Sequence, residues 1–348
     1  MGSPALCRIL FAGAGGGGLL RKAAQMQDIR VNGDWAGSDV LSVLSAWIVR
    51  ESKTRLRRLV AGGLIRVNGR AVTTGTRVRE GDLICLPADL DLGPPRGGSL
   101  AIEVLRQDDA HLVVCKPPGH SVLPARDGGD RQFYDSLVAL LNRKAPEGGP
   151  YVRPHIVHRL DRETSGVLLV AKSELASRSL SLQFQRGTIR KTYLAIIEGV
   201  LPRTEAVIEI PLARSRSGAL EMVPDERVGK PAATRVILGR AFGHFSLLQV
   251  HPLTGRQHQI RVHLSAIGYP LAVDCLYGRR AGLDGHAFNQ IIGKRRVAPH
   301  RLLLGRCPLH AAEIAYDHPL AGERLTATAP MPADMERFLK VLSKLDPA

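Results

Sequence analysis

Aromatic residues, cysteines and long apolar runs are all scarce in this sequence. Phe, Trp and Tyr together make up 4% of its 348 residues. The five cysteines are an odd number and none stands in a CxxC pair, so neither a disulfide framework nor a zinc site is expected. No apolar run approaches the roughly 18 residues that a membrane helix requires, which predicts no membrane partner.

Acidic residues are also few for a chain so rich in basic ones. Lys and Arg number 48 against 32 Asp and Glu, which gives a formal charge of +16 and an isoelectric point near 10.2. This excess favours a polyanionic partner, because cationic side chains gain affinity by displacing counterions from phosphates. Nucleic acid is therefore the predicted partner class, and the alternative is a protein that is merely basic.

Composition divides the chain into four predicted parts. Residues 1–37 are predicted to be a disordered tail, since the first 27 contain no acid and include the run Gly15–Gly18. The cysteine usage fits a reducing compartment, so a cytoplasmic location is expected, with an organellar targeting peptide as the alternative. Residues 38–86 form a small basic module, 87–99 a linker rich in Pro and Gly, and 100–335 a large domain.

The small module carries helix and hairpin signals. Ser52 can cap a helix that ends at Gly62-Gly63. The pair Asn68-Gly69 is a strong signal for a two-residue hairpin turn. Leu41, Leu44 and Ile48 share one face of an earlier helix. We therefore predict a small α/β domain that contains two short helices beside a hairpin.

Basic residues concentrate on the second predicted helix. Between residues 50 and 79 there are nine Lys or Arg and one acid, Glu51. Such a helix can contact an RNA backbone, and the alternative is a solvated basic face. The segment resembles an S4 RNA-binding domain at Ser52–Arg55, Leu64–Gly69 and Val78–Asp82. The residues predicted to contact RNA are Lys53, Arg55, Arg57 and Arg58.

Short apolar runs and helical periods are mixed in the large domain. Leu112–Cys115, Val167–Val170, Thr192–Ile197 and Phe245–Val250 predict strands, and Leu175–Phe184 predicts a helix. These elements do not follow strict βαβ alternation. An α+β domain with a mixed, largely antiparallel sheet is therefore predicted.

The densest polar cluster, His158–Gly166, stands directly before an apolar strand. Its Asp161 can be held by the sheet and still face a cleft. Arg159 and Arg162 flank this carboxyl and favour its ionised form. An ionised and positioned Asp can act as a nucleophile or a base. The alternative at this level is an ordinary surface turn with salt bridges.

A second polar cluster, Thr254–Leu264, leads into a predicted helix, with Gly255 standing before the helix. Ile260 falls on the apolar face of this helix, so core packing is one explanation for it. His258 and Arg261 are three residues apart and therefore adjacent on the helix surface. His258 and His263 are five apart, which is the wrong spacing for a pair of metal ligands on one face. No metal site is expected.

Together these segments resemble the RluA-type pseudouridine synthases. His158–Gly166 matches the family signature HRLDxxTSG, and Lys191–Tyr193 matches its KxY element. Gly255–His263 matches GRxHQIRxH, and Leu309–Ala311 matches the LHA pattern. Lys116–Gly119 matches KPxG, although Cys115 precedes it where Asn is usual. The resemblance covers about residues 100–330 and implies the pseudouridine synthase fold.

The resemblance implies an enzyme that isomerises uridine to pseudouridine in RNA. The N1–C1′ bond breaks, the uracil rotates, and it rejoins the sugar through C5 after the nucleotide has been flipped into a pocket. Asp161 is implied as the nucleophile, by attack at C1′, attack at C6 or a glycal route. Tyr193 is implied to stack on the uracil. Arg261 is implied to pair with Asp161.

Further residues are assigned supporting roles by the resemblance. Arg159 is implied to fill the gap left by the flipped base. Arg256 and His258 are second choices for phosphate contacts, and Ile260 is implied to line the pocket. No cofactor is expected, because substrate and product are isomers.

The substrate RNA is not readable from these motifs. Ribosomal RNA of the large subunit is the leading expectation, transfer RNA the second, and a monomer is expected. Arg279-Arg280 and Lys294–Arg296 predict a basic loop that either contacts RNA or is simply solvated. Two alternatives are an inactive RNA-binding or ribosome-assembly protein and an Asp/His hydrolase acting on a phosphorylated small molecule.

Overall fold

The computed structural model describes residues 26–90, 92, 100–124, 130–145, 150–215 and 221–345. The chain forms two compact units. Of the described residues, those within Met1–Ser99 and Asp135–Arg153 form the first unit, and those within Leu100–Tyr134 and Pro154–Ala348 form the second.

The first unit packs two short helices on a small antiparallel sheet. The sheet order is β1-β4-β2-β3. Its buried side chains include Leu44, Leu56 and Ile84, which belong to one apolar cluster. The elements are β1 (Met26–Arg30), α1 (Val40–Trp47), α2 (Lys53–Ala61), β2 (Arg66–Val67), β3 (Arg70–Ala71) and β4 (Leu83–Pro87).

The predicted helix cap and hairpin turn of the small module are both present in the structure. The Ser52 hydroxyl accepts the backbone N–H of Arg55 at 3.1 Å and caps α2, which ends at Gly62. Asn68 and Gly69 both have positive φ, 50° and 76°, as a type I′ hairpin turn requires. The predicted helix and hairpin are therefore confirmed at these positions.

The predicted tail of residues 1–37 extends too far. Residues 1–25 lie outside the described part of the chain, but Met26–Arg30 form β1 and pair antiparallel with β4. Ile29 and Val31 are buried in the core of the first unit. The composition of this segment did not indicate a strand, because Ile29 and Val31 are the side chains that it contributes to the core.

The first unit also takes in a segment that the sequence prediction assigned to the large domain. Helix α3 (Gln132–Leu141) begins in the second unit and continues into the first. Asp135 pairs with Arg50 at 3.0 Å. Arg153 donates to the backbone carbonyls of Ser45, Ile48 and Glu51. The prediction of one continuous domain over 100–335 is therefore wrong here, since long-range hydrogen bonds decide the grouping.

The second unit is built on a mixed sheet that is largely antiparallel, as predicted. Its order is β10-β13-β14-β9-β17-β8-β6-β5, with β18 beside β17 and β7 beside β8. β17 and β8 are parallel, and the other recorded pairs of this sheet are antiparallel. Its strands are β5 (Glu103–Gln107), β6 (His111–Lys116), β7 (His155–Ile156), β8 (Ser165–Ala171), β9 (Arg190–Glu198), β10 (Glu205–Glu209), β13 (Ala233–Phe242), β14 (Phe245–Pro252), β17 (Leu309–Asp317) and β18 (Arg324–Thr328).

Helices and two small ribbons surround this sheet. The ribbons pair β11 (Leu212–Arg214) with β12 (Met222–Pro224), and β15 (Leu283–Asp284) with β16 (Leu302–Leu304). The helices are α4 (Glu174–Arg186), α5 (Gln259–Ala266), α6 (Gly285–Ile292) and α7 (Ala333–Leu345). Phe338 and Leu342 of α7 are buried, so the domain extends beyond the predicted end at residue 335.

The parallel contact between β8 and β17 requires a glycine. Gly166 has φ +111°, and a Cβ built on it would lie 2.1 Å from the carbonyl oxygen of Ala311. A side chain cannot occupy that space. Gly166 therefore lets the strand that follows the His158–Gly166 cluster lie close to β17. Among the described residues, no helix is long and apolar enough to cross a membrane.

Candidate active site

A cavity of about 600 Å³ opens beside the loop between β7 and β8. Its size falls within the range of about 300–1,000 Å³ typical of ligand sites. Strand β9 and the segment from the end of β14 into α5 form other walls. The lining includes seven residues singled out from the sequence: Arg159, Asp161, Tyr193, Arg256, His258, Ile260 and Arg261.

The loop that carries Asp161 is held from β6 by a buried lysine. The ammonium group of Lys116 is fully buried and donates to the carbonyls of Pro117, His120 and Arg162, the last at 3.1 Å. Gly119 and Arg162 also exchange two hydrogen bonds of 2.9 Å. Burial lowers the pKa of Lys116 to about 8. This side chain therefore orders the loop rather than contacting solvent.

A buried arginine holds the same loop from its other end. Arg306 donates to the carbonyl of Glu163 at 3.0 Å and forms a bidentate pair with Asp334 of α7. His158 accepts the backbone N–H of Leu169 at 2.9 Å, and burial lowers its pKa to about 3. Neutral His158 thus fastens the loop to β8, which agrees with a structural role.

Arg261 links Asp161 to a second carboxylate. Its Nε and Nη2 each donate to Asp274 at 2.7 Å, and its Nη1 lies 3.4 Å from Oδ2 of Asp161. Burial opposes the charge of Arg261, but the hydrogen bonds to Asp274 outweigh it and raise the pKa of the guanidinium. The guanidinium is therefore a permanent cation with a fixed orientation beside Asp161.

Asp274 was not predicted as a site residue, although the family resemblance includes its position, where Val273 precedes it in place of a typical Gly. It is almost fully buried at 1% exposure. Its Oδ1 also accepts the backbone N–H groups of Leu276 and Tyr277. One signal was available: Asp274 is the only acidic residue between Glu226 and Asp284. A lone acid in a long basic stretch is a natural partner for a buried arginine.

Tyr193 lies on β9, where it pairs with Val250 of β14 and Ala311 of β17. It is buried, with 9% exposure, and lines the cavity. Burial raises the pKa of its phenol, and the nearby charge of Asp161 adds to this rise. Tyr193 therefore presents a neutral aromatic ring and an O–H group, which suits stacking on a base better than acting as a phenolate.

The remaining predicted cavity residues differ in their surroundings. Arg159 and Arg256 are exposed at the cavity, as expected of groups that contact RNA, and Ile260 is buried in its wall. His258 also lines the cavity, and its side chain is 12% exposed. Its Nε2 lies 3.9 Å from Oδ1 of Asp161, and its Nδ1 lies 2.7 Å from the hydroxyl of Tyr277.

The predicted RNA contacts of the first unit lie on α2. Arg57 and Arg58 are exposed and Lys53 is half-buried. Arg55 pairs with Glu51 at 2.8 Å, which reduces the local charge. In the second unit Arg279 and Arg280 both pair with Glu198, whereas Lys294–Arg296 are exposed and have no recorded ion pair among the described residues.

One group of side chains in the described residues could be taken for a metal site. Ligand atoms of Asp108, His111 and His318 lie within 4.8 Å of one another. However, Nδ1 of His318 accepts the backbone N–H groups of Leu320 and Ala321. Its Nε2 therefore carries the proton and donates to Asp108 at 3.1 Å. The group is better explained as a hydrogen-bond network than as a cation site.

Comparisons with known proteins agree with this geometry. The sequence profile described as RNA pseudouridylate synthase matches residues 110–266, and that of the S4 domain matches residues 43–84. The segment 110–266 holds Asp161, Tyr193 and Arg261, and the segment 43–84 holds α2.

Relatives match over nearly the full chain. Ribosomal large subunit pseudouridine synthase D of Zymomonas mobilis subsp. mobilis is 34% identical over 304 residues, 86% of this chain and 92% of the relative. Ribosomal large subunit pseudouridine synthase C of Vibrio parahaemolyticus is 32% identical over 331 residues, 92% of this chain and 98% of the relative. The solved structure of human RNA pseudouridylate synthase domain containing 4 shares the fold, with a TM-score of 0.53 and 24% identity over 69% of this chain and 92% of that one.

Proposed function

The chain belongs to the RNA pseudouridylate synthase family, and from that premise we propose that it isomerises uridine in large-subunit ribosomal RNA with Asp161 as the nucleophile. The observation that carries the proposal is the carboxylate of Asp161, presented in the cavity beside the guanidinium of Arg261. The chain is an RNA pseudouridine synthase by family, and it includes an S4 domain.

The reaction needs a protein nucleophile that can reach the sugar or the base of a flipped nucleotide. The N1–C1′ bond breaks, C5 bonds to C1′, the C5 proton leaves and N1 gains a proton. A base within a helix is not reachable, so the uridine enters the cavity after flipping. Arg261 orients the carboxylate of Asp161 toward this space without being consumed. Tyr193 supplies a ring on which uracil can stack.

The choice of ribosomal RNA rests on two supports. The two relatives above are named ribosomal large subunit pseudouridine synthase D and ribosomal large subunit pseudouridine synthase C. The S4 domain adds the exposed Arg57 and Arg58, which suit a structured RNA backbone. Transfer RNA is the second candidate substrate. We also propose that the protein acts as a monomer in the cytoplasm.

The experiment that tests this proposal maps pseudouridine by carbodiimide labelling and primer extension. Unmodified transcripts of large-subunit ribosomal RNA and of transfer RNA are incubated with the wild-type protein or with Asp161→Asn. New label at discrete ribosomal positions, absent with Asp161→Asn, is the expected result. Label confined to transfer RNA overturns the substrate assignment, and label that persists with Asp161→Asn overturns the role of Asp161.

A further inference from the structure

Three groups form a continuous hydrogen-bonded series behind Asp161. The backbone N–H of Met222 donates to the hydroxyl oxygen of Tyr277 at 2.9 Å. That hydroxyl lies 2.7 Å from Nδ1 of His258. On the far side of the same imidazole, Nε2 faces Oδ1 of Asp161 at 3.9 Å. The hydrogen-bonded series therefore ends at His258, whose Nε2 faces the carboxylate that the proposed function makes the nucleophile across a gap longer than a hydrogen bond.

Proton counting decides the tautomer of His258. A tyrosine hydroxyl has one proton to donate, and Met222 already uses its oxygen as an acceptor. Among the described residues, the recorded acceptor for this proton is Nδ1 of His258. Nδ1 must then be the bare nitrogen and Nε2 must carry the hydrogen. The opposite tautomer turns a lone pair toward a carboxylate and leaves the tyrosine proton without a partner.

The surroundings keep both members of this pair neutral. Burial lowers the pKa of His258, and the charges of Arg261 and Arg159 oppose the attraction of Asp161. Burial raises the pKa of Tyr277, so its phenol keeps its proton. A neutral imidazole has one N–H, and the hydroxyl of Tyr277 directs that N–H to Asp161.

The backbone at His258 points to the same role. His258 has φ 53° and ψ 16°, one of two positive-φ residues other than glycine among the described residues. This conformation is costly for a side chain with a Cβ, and such residues often occur at functional sites. Gln259 enforces it, because its Oε1 accepts from Thr254 and Arg256 while its Nε2 donates to Ala233 and Thr234.

We propose that His258 is a positioning residue whose Nε2–H, selected by Tyr277, orients the carboxylate of Asp161. Arg261 faces Oδ2 and His258 faces Oδ1, so the two groups together set the rotation of the carboxylate about its last bond. The proposal requires this gap of 3.9 Å to shorten when the nucleotide enters, as catalytic hydrogen bonds often do. This inference rests on the proposed role of Asp161.

The first test removes one oxygen atom. Tyr277→Phe keeps the ring, whose centroid lies 5.0 Å from the guanidinium carbon of Arg261, and loses the hydroxyl. The single-turnover rate is expected to fall about tenfold, as the loss of one hydrogen bond predicts, with an unchanged Kd for RNA. Tyr269→Phe, outside the cavity lining, is the matched control and should match wild type.

The second test observes the tautomer directly. Nitrogen-15 spectra of labelled histidine side chains distinguish Nε2–H from Nδ1–H, and the missing signal in His258→Asn assigns the residue. Wild type is expected to show the Nε2–H form, and Tyr277→Phe a substantial Nδ1–H population. An Nδ1–H form in wild type overturns the proposal. This spectrum requires no catalysis, so it stays informative even if Asp161 proves not to be the nucleophile.

The third test uses the strained backbone. His258→Gly removes the imidazole and also the cost of positive φ, because glycine adopts this conformation readily. The melting temperature is expected to stay level or rise while the single-turnover rate falls. Tyr277→Phe added to His258→Gly should cause no further loss of rate, since the hydroxyl acts through the imidazole. A full additional tenfold loss, or a wild-type rate in His258→Gly, contradicts the proposal.

Discussion

The two arginine-rich regions of this protein use the same side chain for opposite purposes. On α2 the charges face water: the Arg55 side chain is 51% exposed even though it pairs with Glu51. In the cavity the Arg261 side chain is 8% exposed and contacts two carboxylates. An exposed arginine is available to a phosphate and is screened by salt. A buried arginine such as Arg261 is already bonded to carboxylates, so it can orient them.

The difference shows how a basic protein can bind RNA and still keep one carboxylate reactive. In the proposed function, charge on α2 contributes affinity that does not depend on base identity. Charge at Arg261 is balanced by Asp274, so it can orient Asp161 without attracting a phosphate into the site. Net charge therefore says little about the carboxylate of Asp161, because the cation beside it, Arg261, is also paired with Asp274.

The largest expected effect is on catalysis and comes from Asp161→Asn. The variant keeps the shape of the side chain but loses its charge, so isomerisation should fall at least about 10⁴-fold while RNA affinity changes little. Single-turnover assays and filter binding measure the two quantities. Glu163→Gln, two residues along the same loop and outside the cavity lining, is the control and should keep most activity. A strong loss of RNA affinity in Asp161→Asn would falsify the separation between binding and chemistry.

The second effect compares a buried ion pair with an exposed one. Asp274→Asn leaves the buried Arg261 charge without its bidentate partner, which should cost about 3–5 kcal/mol of unfolding free energy. Asp317→Asn breaks the exposed pair with Arg324, whose side chains are 40% and 42% exposed, and should cost about 0–1 kcal/mol. Urea unfolding compares the two variants. Equal losses contradict the view that burial distinguishes the two regions.

The third effect concerns Lys116 and pH. Its folded-state pKa of about 8 lies below its ordinary value of 10.5, so the unfolded chain binds more protons between these values. The contribution of Lys116 to the free energy of unfolding should therefore rise as pH increases from about 8 to about 10.5, by up to about 3 kcal/mol. Lys116→Met removes this slope, and the difference between the unfolding curves of the two proteins isolates it. Parallel curves would show that the ammonium group is not desolvated.

The smallest effect is on affinity and arises on α2. Changing Lys53, Arg57 and Arg58 to Gln should reduce the slope of log Kd against log salt by about 2–3, with an unchanged rate at saturating RNA. Changing Arg337, Lys340 and Lys344 of α7 to Gln removes the same charge elsewhere and is the control. An unchanged slope in the α2 variant would remove α2 from the RNA interface.

Local signals predicted local structure well. Ser52 caps α2 through its own hydroxyl, and Asn68-Gly69 turns the hairpin, because both depend on a few adjacent residues. The pairing of Asp161 with Arg261 also matches the motif-based expectation, with the two side chains 3.4 Å apart. The predicted domain boundaries differ from the structure where contacts between distant residues decide them. This is the case at β1, at the segment 135–153 and at the end of α7.

The sequence by itself determined the family, the α+β class and the residues that would line the cavity, since short motifs and periodicity carry that information. Only the tertiary structure decided which hydrogen-bond partners fix the orientation of these cavity residues. Asp274 lies 13 residues from Arg261, and Met222 lies 55 residues from the hydroxyl of Tyr277 that it contacts. Partners so far apart in sequence leave no periodic pattern. Their effect on Asp161 exists only once folding has removed water and fixed the direction of each hydrogen bond.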